Sequence, residues 1–168
     1  IALALAIAQA VLSLAGAATG RAALLATSRP IATGQFLFIL AAFAALAYCF
    51  ITNDFSVANV ATNSNSRLPV AYRIAASWGS HEGSMVLWLL MLSGWTFAVS
   101  IFSRQLPDRM LSRVLGILGL VSVGFLLFIL ITSNPFDRLL PPAEDGRDLN
   151  PLLQDPGMVI HPPMLYMG

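Results

Sequence analysis

Two histidines are the residues of this chain best suited to bind a metal ion or to move a proton near neutral pH. His81 lies in the stretch WGSHEGSMVLW, directly before Glu82, and His161 lies in VIHPPMLYMG. Histidine ionises near neutrality, and its neutral imidazole ligates metal ions and haem iron. The chemistry open to this chain therefore depends on where its fold places these two imidazoles.

His161 is followed by two prolines, Pro162 and Pro163. A residue before proline is biased toward an extended conformation, and proline suits the first turn of a helix. The sequence therefore predicts an extended His161 at the mouth of a helix that begins at Pro162. Its imidazole could ligate a metal or haem iron, or it could cap the helix or bond a nearby carbonyl, and the residues alone leave both open.

His81 precedes a long apolar run, and the spacing predicts a helix there. On that helix His81, Ser84, Met85 and Trp88 share one face, whereas Glu82 is rotated by about 100° and points elsewhere. His81 and Glu82 are therefore not an obvious acid–base pair. They could form an interfacial polar cluster satisfied by the loop backbone. Because ionisable groups at membrane depth tend to be functional, they could instead form a proton or ion site of a transporter.

An aromatic and apolar stripe continues along the same helix, through Trp88, Met91, Leu92 and Trp95. Such a stripe is typical of a helix-packing face, although a flat apolar ligand would also suit it. The sequence contains no P-loop, HExxH, GxSxG or EF-hand pattern. Cys49 is the one cysteine, so no CxxCH motif is present, and we expect it to be a core residue.

The composition is that of a membrane protein, with 57% hydrophobic and only 10% charged residues. Each of four uncharged runs approaches or exceeds the roughly 20 apolar residues that cross a bilayer. The sequence predicts an all-α, multi-span transmembrane helical bundle, with the start of a fifth span at MLYMG. The predicted spans are about 1–20, 31–52, 84–103 and 114–133. The first run could instead be a signal-peptide core, but no positive region precedes it.

The arginines predict which side of the membrane each linker occupies. All nine cations are arginines, and five of them lie in two short linkers, 21–29 and 104–113. Two longer linkers, 54–83 and 134–163, hold the other four, together with seven of the eight acidic residues. By the positive-inside rule the short linkers are cytoplasmic and the long ones face outward, which puts both histidines on the outer side. The net charge of +1 gives no sign of a nucleic-acid-binding surface.

Both long linkers show signs of order. In RLPVAYRIAASW, Pro69 suits a first helical turn, and Val70, Ile74 and Trp78 would share one face of a short interfacial helix, with Trp78 at headgroup depth. The second linker interleaves large apolar residues with turn residues such as those at 155–157 (DPG), which predicts a compact loop packed on the membrane surface.

Two long motifs carry a family resemblance. WGSHEGSMVLW and NPFDRLLPPAEDGRDLNPLLQDPGMVIHPPMLYMG, in this order and with a span, an arginine-rich turn and a span between them, resemble the CcmF family of cytochrome c maturation proteins. The resemblance runs from about residue 50 to the end. A related branch that serves nitrite reductase maturation carries a similar pattern, and the motifs do not separate the two.

The resemblance implies a component of a haem lyase in the bacterial inner membrane. Such a protein takes haem b from the periplasmic haem chaperone CcmE and helps attach it to the CxxCH cysteines of apocytochrome c, alongside subunits such as CcmH. The family's HPP histidine is a haem axial ligand, and that role falls on His161. The family motif also implicates Trp78, His81, Glu82 and Trp88 in cofactor binding.

Several family features are not found in these 168 residues. They are the tryptophan-rich WD segment, the second periplasmic histidine and the membrane-embedded histidines for a resident haem b. We therefore expect the chain to be the N-terminal piece of a longer protein, one that is not active by itself. A transporter or ion-translocating subunit that uses His81 and Glu82 is the alternative, although the uncharged spans do not favour it.

The predicted topology can be tested by chemical labelling. Cysteine placed at Ser66 or Asp145 should react with a membrane-impermeant thiol reagent in intact cells, because both positions lie in linkers predicted to be outside. Cysteine at Ser103 or Asp108 should react only after the membrane is opened. Labelling of the second pair in intact cells would reverse the assignment.

Overall fold

Helices account for all the regular structure in this computed structural model, which describes residues 1–168. The seven α-helices are α1 (Ala2–Thr19), α2 (Ala22–Ile51), α3 (Ala58–Asn63), α4 (Val70–Ala76), α5 (His81–Phe102), α6 (Asp108–Thr132) and α7 (Pro156–Met167). A 3-10 helix covers Pro151–Gln154, and the one β contact is an isolated antiparallel bridge between Val57 and Arg138. The predicted all-α class is confirmed.

Four of these helices, α1, α2, α5 and α6, are long and apolar enough to cross a membrane. The shortest, α1, has 18 residues, which at 1.5 Å per residue gives about 27 Å, close to the thickness of a bilayer's hydrocarbon core. α2 has 30 residues and begins well before residue 31, since the helix continues through Arg29 and Pro30. A helix can extend beyond the hydrocarbon layer, so an apolar run marks less than the whole helix.

The chain divides into two compact units. The first comprises Ile1–Ala41 and Leu89–Phe128, and the second comprises Ala42–Trp88 and Ile129–Gly168. The first unit therefore contains the two short linkers, and the second contains the two long ones. All five candidate site residues belong to the second unit.

Inside the first unit, buried polar side chains bond across helices. The Gln9 side-chain amide donates to the Leu115 carbonyl at 2.8 Å, and the hydroxyls of Ser28 and Ser112 lie 3.0 Å apart. Such bonds are common between helices in membranes, because an apolar surrounding offers polar groups few other partners.

The second unit has an apolar core to which both long linkers contribute. Its fully buried members come from α2, from the first long linker and from the second: Leu46, Phe50, Val57, Val60, Ala76 and Leu149. Leu149 is only 1% exposed although it lies in an irregular segment. Phe136 and Leu153 also pack against this core, whereas Leu140 and Leu152 of the same linker are 90% and 66% exposed.

Backbone hydrogen bonds join the two long linkers beside this core. The Ala58 amide donates to the Asp137 carbonyl, and the Leu139 amide donates to the Ser56 carbonyl, each at 2.8 Å. The two linkers therefore lie on the same side of the second unit, whichever side of a membrane that is.

Polar side chains reinforce this contact. The Ser66 amide and hydroxyl donate to the two Asp145 carboxylate oxygens at 3.0 and 2.7 Å. The Ser66 hydroxyl, followed by its amide, holds the pKa of the Asp145 carboxyl below its usual range. The Asp54 carboxylate lies 3.1 Å from the Arg138 guanidinium.

Two local predictions were wrong. α4 ends at Ala76, so Trp78 lies in the turn after it and does not share a helical face with Val70 and Ile74. The reason is that the chain turns there. The Trp78 amide donates to the Ala75 carbonyl at 3.2 Å and the Gly79 amide donates to the Ala76 carbonyl at 3.0 Å, each three residues back rather than the four of an α-helix.

The helix that carries His161 begins six residues earlier than predicted. α7 starts at Pro156, so His161 is helical rather than extended, and Pro162 and Pro163 lie inside the helix. The Asp155 carboxylate caps this start by accepting from the Gly157 and Met158 amides at 2.8 and 3.2 Å. The three residues that predicted a turn therefore form a helix N-terminus.

The close contact between the long linkers gives a prediction at Gly146. A Cβ atom there would overlap the Ser64 carbonyl oxygen and lie 2.9 Å from the Phe55 ring. Gly146→Ala should therefore lower the free energy of unfolding by about 1–3 kcal/mol, as overpacking does, because backbone must move. Thermal unfolding of the native protein in detergent measures the effect.

The control is Gly124→Ala in α6, where an added Cβ atom meets nothing within 4 Å. This variant should not lower the free energy of unfolding, and it should raise it by about 0.5–1 kcal/mol, as replacing a helical glycine by alanine usually does. Equal stability of both variants would contradict the described linker packing.

Candidate functional site

Five candidate residues come from three elements of the second unit. Trp78 lies between α4 and α5, whereas His81, Glu82 and Trp88 lie near the start of α5. His161 lies in α7 and is exposed. The geometry that relates them is set by how α7 packs.

Two prolines interrupt the backbone hydrogen bonds of α7. In a helix the amide of residue 163 would donate to the carbonyl of residue 159, but proline has no amide hydrogen. Pro163 therefore leaves the Val159 carbonyl without its helical donor. The Trp78 indole Nε1 lies 3.1 Å from that oxygen and donates to it.

The half-buried face of α7 consists of Val159, Pro162, Pro163 and Tyr166, at the spacing of one helical face. Tyr166 stacks on Trp88 of α5, with 5.6 Å between the ring centroids and an interplanar angle of 12°. Trp78 and Trp88 thus hold α7 at two points, one by a hydrogen bond and one by aromatic contact.

His161 projects from the other side of α7. Its helical neighbours there are Met158, Met164 and Leu165, which are 42%, 59% and 63% exposed. The imidazole is therefore surrounded by open apolar side chains. This surface, formed by Met158, His161, Met164 and Leu165, is called the His161 face below.

His81 is the first residue of α5, and its Nδ1 lies 3.2 Å from the hydroxyl of Ser133, which directly follows α6. Which of the two donates depends on the imidazole tautomer. Ser133 is buried, so this bond fastens the start of α5 to the end of α6. Glu82 lies in the first turn of α5, where a carboxylate is favoured by the helix dipole.

The start of α5 is shaped by two residues that the sequence analysis did not single out. The Ser80 hydroxyl accepts from the Gly83 amide at 2.9 Å, which is N-terminal capping. A Cβ atom at Gly83 would overlap the Ser77 carbonyl oxygen, so glycine is required. A serine directly before a helical pattern was the available signal. The glycine requirement depends on packing that the sequence does not show.

The structure therefore separates the candidate residues into two groups. Trp78 and Trp88 contact the half-buried face of α7, and His81 is bonded to Ser133, whereas His161 lies on the opposite, open face of α7. Trp78 and Trp88 are therefore linked to His161 through α7. No three His, Cys, Asp or Glu side chains cluster as a metal site.

A sequence profile described as cytochrome C assembly protein matches residues 78–168, a range that includes all five candidate residues. The chain is 60% identical over 169 residues to the cytochrome c-type biogenesis protein CcmF of Pseudomonas aeruginosa, and 58% identical over 170 residues to that of Escherichia coli. Each alignment covers 100% of this chain and 26% of the relative. The probable NrfE protein of Escherichia coli is 48% identical over 134 residues, which is 80% of this chain and 24% of that protein.

A solved structure, the cytochrome c heme lyase CcmF, has the same fold. The two superpose with a TM-score of 0.84 at 28% sequence identity, over 99% of this chain and 26% of the solved chain. This chain thus spans about a quarter of the length of these relatives. The predicted resemblance to CcmF is confirmed, and the chain belongs to the cytochrome C assembly protein family.

Proposed function

We propose that this chain forms part of a haem lyase of cytochrome c maturation, in which His161 supplies one axial ligand to the haem iron. The observation that carries the proposal is the His161 face. It presents an exposed imidazole among apolar side chains, on a helix that is held from its other side. Relatives that cover the whole chain are named for cytochrome c biogenesis, which supports the same function.

The chemistry of the His161 face suits haem. Haem is a flat, largely apolar ring whose iron accepts a neutral imidazole nitrogen. Met158, Met164 and Leu165 can contact the ring while His161 reaches the metal, and methionine adapts its shape to irregular partners. An exposed imidazole on the surface of a helix would hold haem in an exchangeable way.

In the proposed reaction a cysteine thiol of the CxxCH motif adds across a haem vinyl group. The sulfur bonds to one vinyl carbon and a hydrogen to the other, so the double bond becomes single and no net oxidation occurs. The chain would hold the iron, expose the vinyl edges to the apocytochrome and then release the metal to the cytochrome's own histidine. The catalytic gain would come from positioning rather than from acid–base transfer.

The proposal places the His161 face at the periplasmic surface of the bacterial inner membrane. The arginine distribution supports this orientation. The hydrogen bonds between the two long linkers support it too, because they require both linkers to be on one side. The haem chaperone CcmE, apocytochrome c and subunits such as CcmH would all be reached there, and membrane lipid would surround the four long helices.

The other candidate residues have supporting roles in this proposal. Trp78 and Trp88 hold α7, and His81 with Glu82 builds the start of α5 beside it. A resident haem b would be held by residues outside this chain.

The role of His161 can be tested in the native protein in its bacterial host. His161→Gly should reduce cytochrome c assembly by about tenfold or more, since weakening a metal site through its outer shell alone already costs about 10- to 100-fold. Free imidazole in the medium should restore part of the yield, because it can occupy the vacated coordination position. Covalent haem staining of the cytochromes measures the yield.

The matched control is His81→Gly, which removes the other imidazole of the second unit. Imidazole should rescue it little, since the His81 bond to Ser133 depends on attachment to α5. Normal cytochrome c yield from His161→Gly, at normal protein level, would remove the ligand assignment. Equal rescue at both positions would also count against it, because it would show that imidazole acts elsewhere.

A further inference from the structure

The orphaned carbonyl of Val159 is satisfied from outside its own helix. Pro163 cannot donate to it, and the ring of a proline inside a helix also pushes against the carbonyl four residues earlier. A carbonyl left unpaired in a half-buried position costs free energy, so it needs another donor. The Trp78 indole N–H, 3.1 Å away, is the donor that the structure provides.

Trp78 is itself firmly placed. Its ring stacks on Phe43 of α2, with 6.5 Å between centroids and an interplanar angle of 20°. The next residue, Gly79, donates its amide to the Ala76 carbonyl at 3.0 Å and has the Leu153 side chain close against it. The indole is therefore aimed by the turn after α4, by α2 and by the second linker together.

We propose that Trp78 is a positioning residue, whose indole N–H replaces the hydrogen bond that Pro163 cannot make and thereby sets the orientation of α7 and of the His161 face. The effect on haem chemistry rests on the proposed function. The anchoring of α7 does not, because it follows from the Val159 carbonyl alone.

Tryptophan suits this role for a chemical reason. Its ring fills an apolar site against Phe43 while the N–H at its edge reaches a polar partner, which phenylalanine cannot do. A direct contact of Trp78 with haem on the His161 face is a different role. The hydrogen bond places the indole N–H on the half-buried face of α7, opposite His161.

The pairing of Trp78 with Pro163 makes a compensation test possible. Trp78→Phe keeps most of the ring and removes only the donor, so the Val159 carbonyl loses its partner. Pro163→Ala supplies a helical amide for that same carbonyl. The double variant should therefore be less impaired than Trp78→Phe alone.

Pro162→Ala is the matched control, because it also replaces a proline of α7 but supplies its amide to the carbonyl of residue 158. It should not compensate for Trp78→Phe. Trp95→Phe in α5 controls for a tryptophan replaced elsewhere, at a side chain that is more than half exposed.

Hydrogen exchange of α7 amides, measured in the native protein in lipid nanodiscs, is the primary readout because it does not involve haem. Trp78→Phe should speed exchange in α7 by roughly tenfold, as expected when a hydrogen bond is lost and its acceptor is left unpaired. When Pro163→Ala is added to Trp78→Phe, the exchange rate of the α7 amides should fall most of the way back to that of the unmodified protein. Pro162→Ala and Trp95→Phe should have no such effect.

Cytochrome c yield is the second readout, and it separates this inference from the function that it builds on. If both are right, yield should follow the exchange rate, and free imidazole should not rescue Trp78→Phe. If His161 is not a ligand, the compensation in exchange persists while yield does not follow it.

Unchanged α7 exchange in Trp78→Phe would overturn the positioning role, as would equal compensation by the two proline replacements. If Trp78→Phe lowers the protein level, the two double variants still decide, because they differ only in which carbonyl regains a donor.

Discussion

The packing of the two long linkers against each other is the contact on which the candidate site depends. Trp78 and Val159 are separated by 81 residues, and two long helices intervene, so no local preference can bring them together. The buried side chain of Leu149, among Val57, Val60 and Ala76, fastens the second linker to the first. The hydrogen bond from Trp78 to α7 depends on that packing, which brings the second linker beside the first.

A consequence is that the two faces of α7 have different roles. One face is held by Trp78 and by the stack of Tyr166 on Trp88. The other carries His161 among exposed methionine and leucine side chains. Two adjacent prolines are costly inside a helix, and here that cost is offset in part by a donor from another segment. In the proposed arrangement, Pro163 makes the orientation of α7 depend on Trp78, the first residue of the WGSHEGS motif.

The parts of this structure that the sequence predicted are those governed by local periodicity and composition. The four long apolar helices and the helical face that carries His81 and Trp88 follow from hydropathy and spacing. The start of α7 could not be predicted from hydropathy and spacing, because the residues at 155–157 suit a turn and a capped helix equally well. The rule for a residue before proline then favoured the wrong choice at His161.

Hydrogen-bond partners that are distant in the chain could not be predicted from the sequence, for a different reason. Nothing near Ser133 marks it as the partner of His81, and nothing near Val159 predicts that its carbonyl would accept from an indole. The motifs nonetheless identified the family, since their length and order are specific even where the geometry of single residues is not.

The central claim, that haem binds the His161 face, is tested most directly by a cryo-electron microscopy structure of the native protein with haem bound. The account predicts iron coordinated by the His161 imidazole, Met158, Met164 and Leu165 against the ring, and the Trp78 indole still bonded to the Val159 carbonyl. Haem bound elsewhere, with the His161 face covered by another helix of the protein, would contradict it.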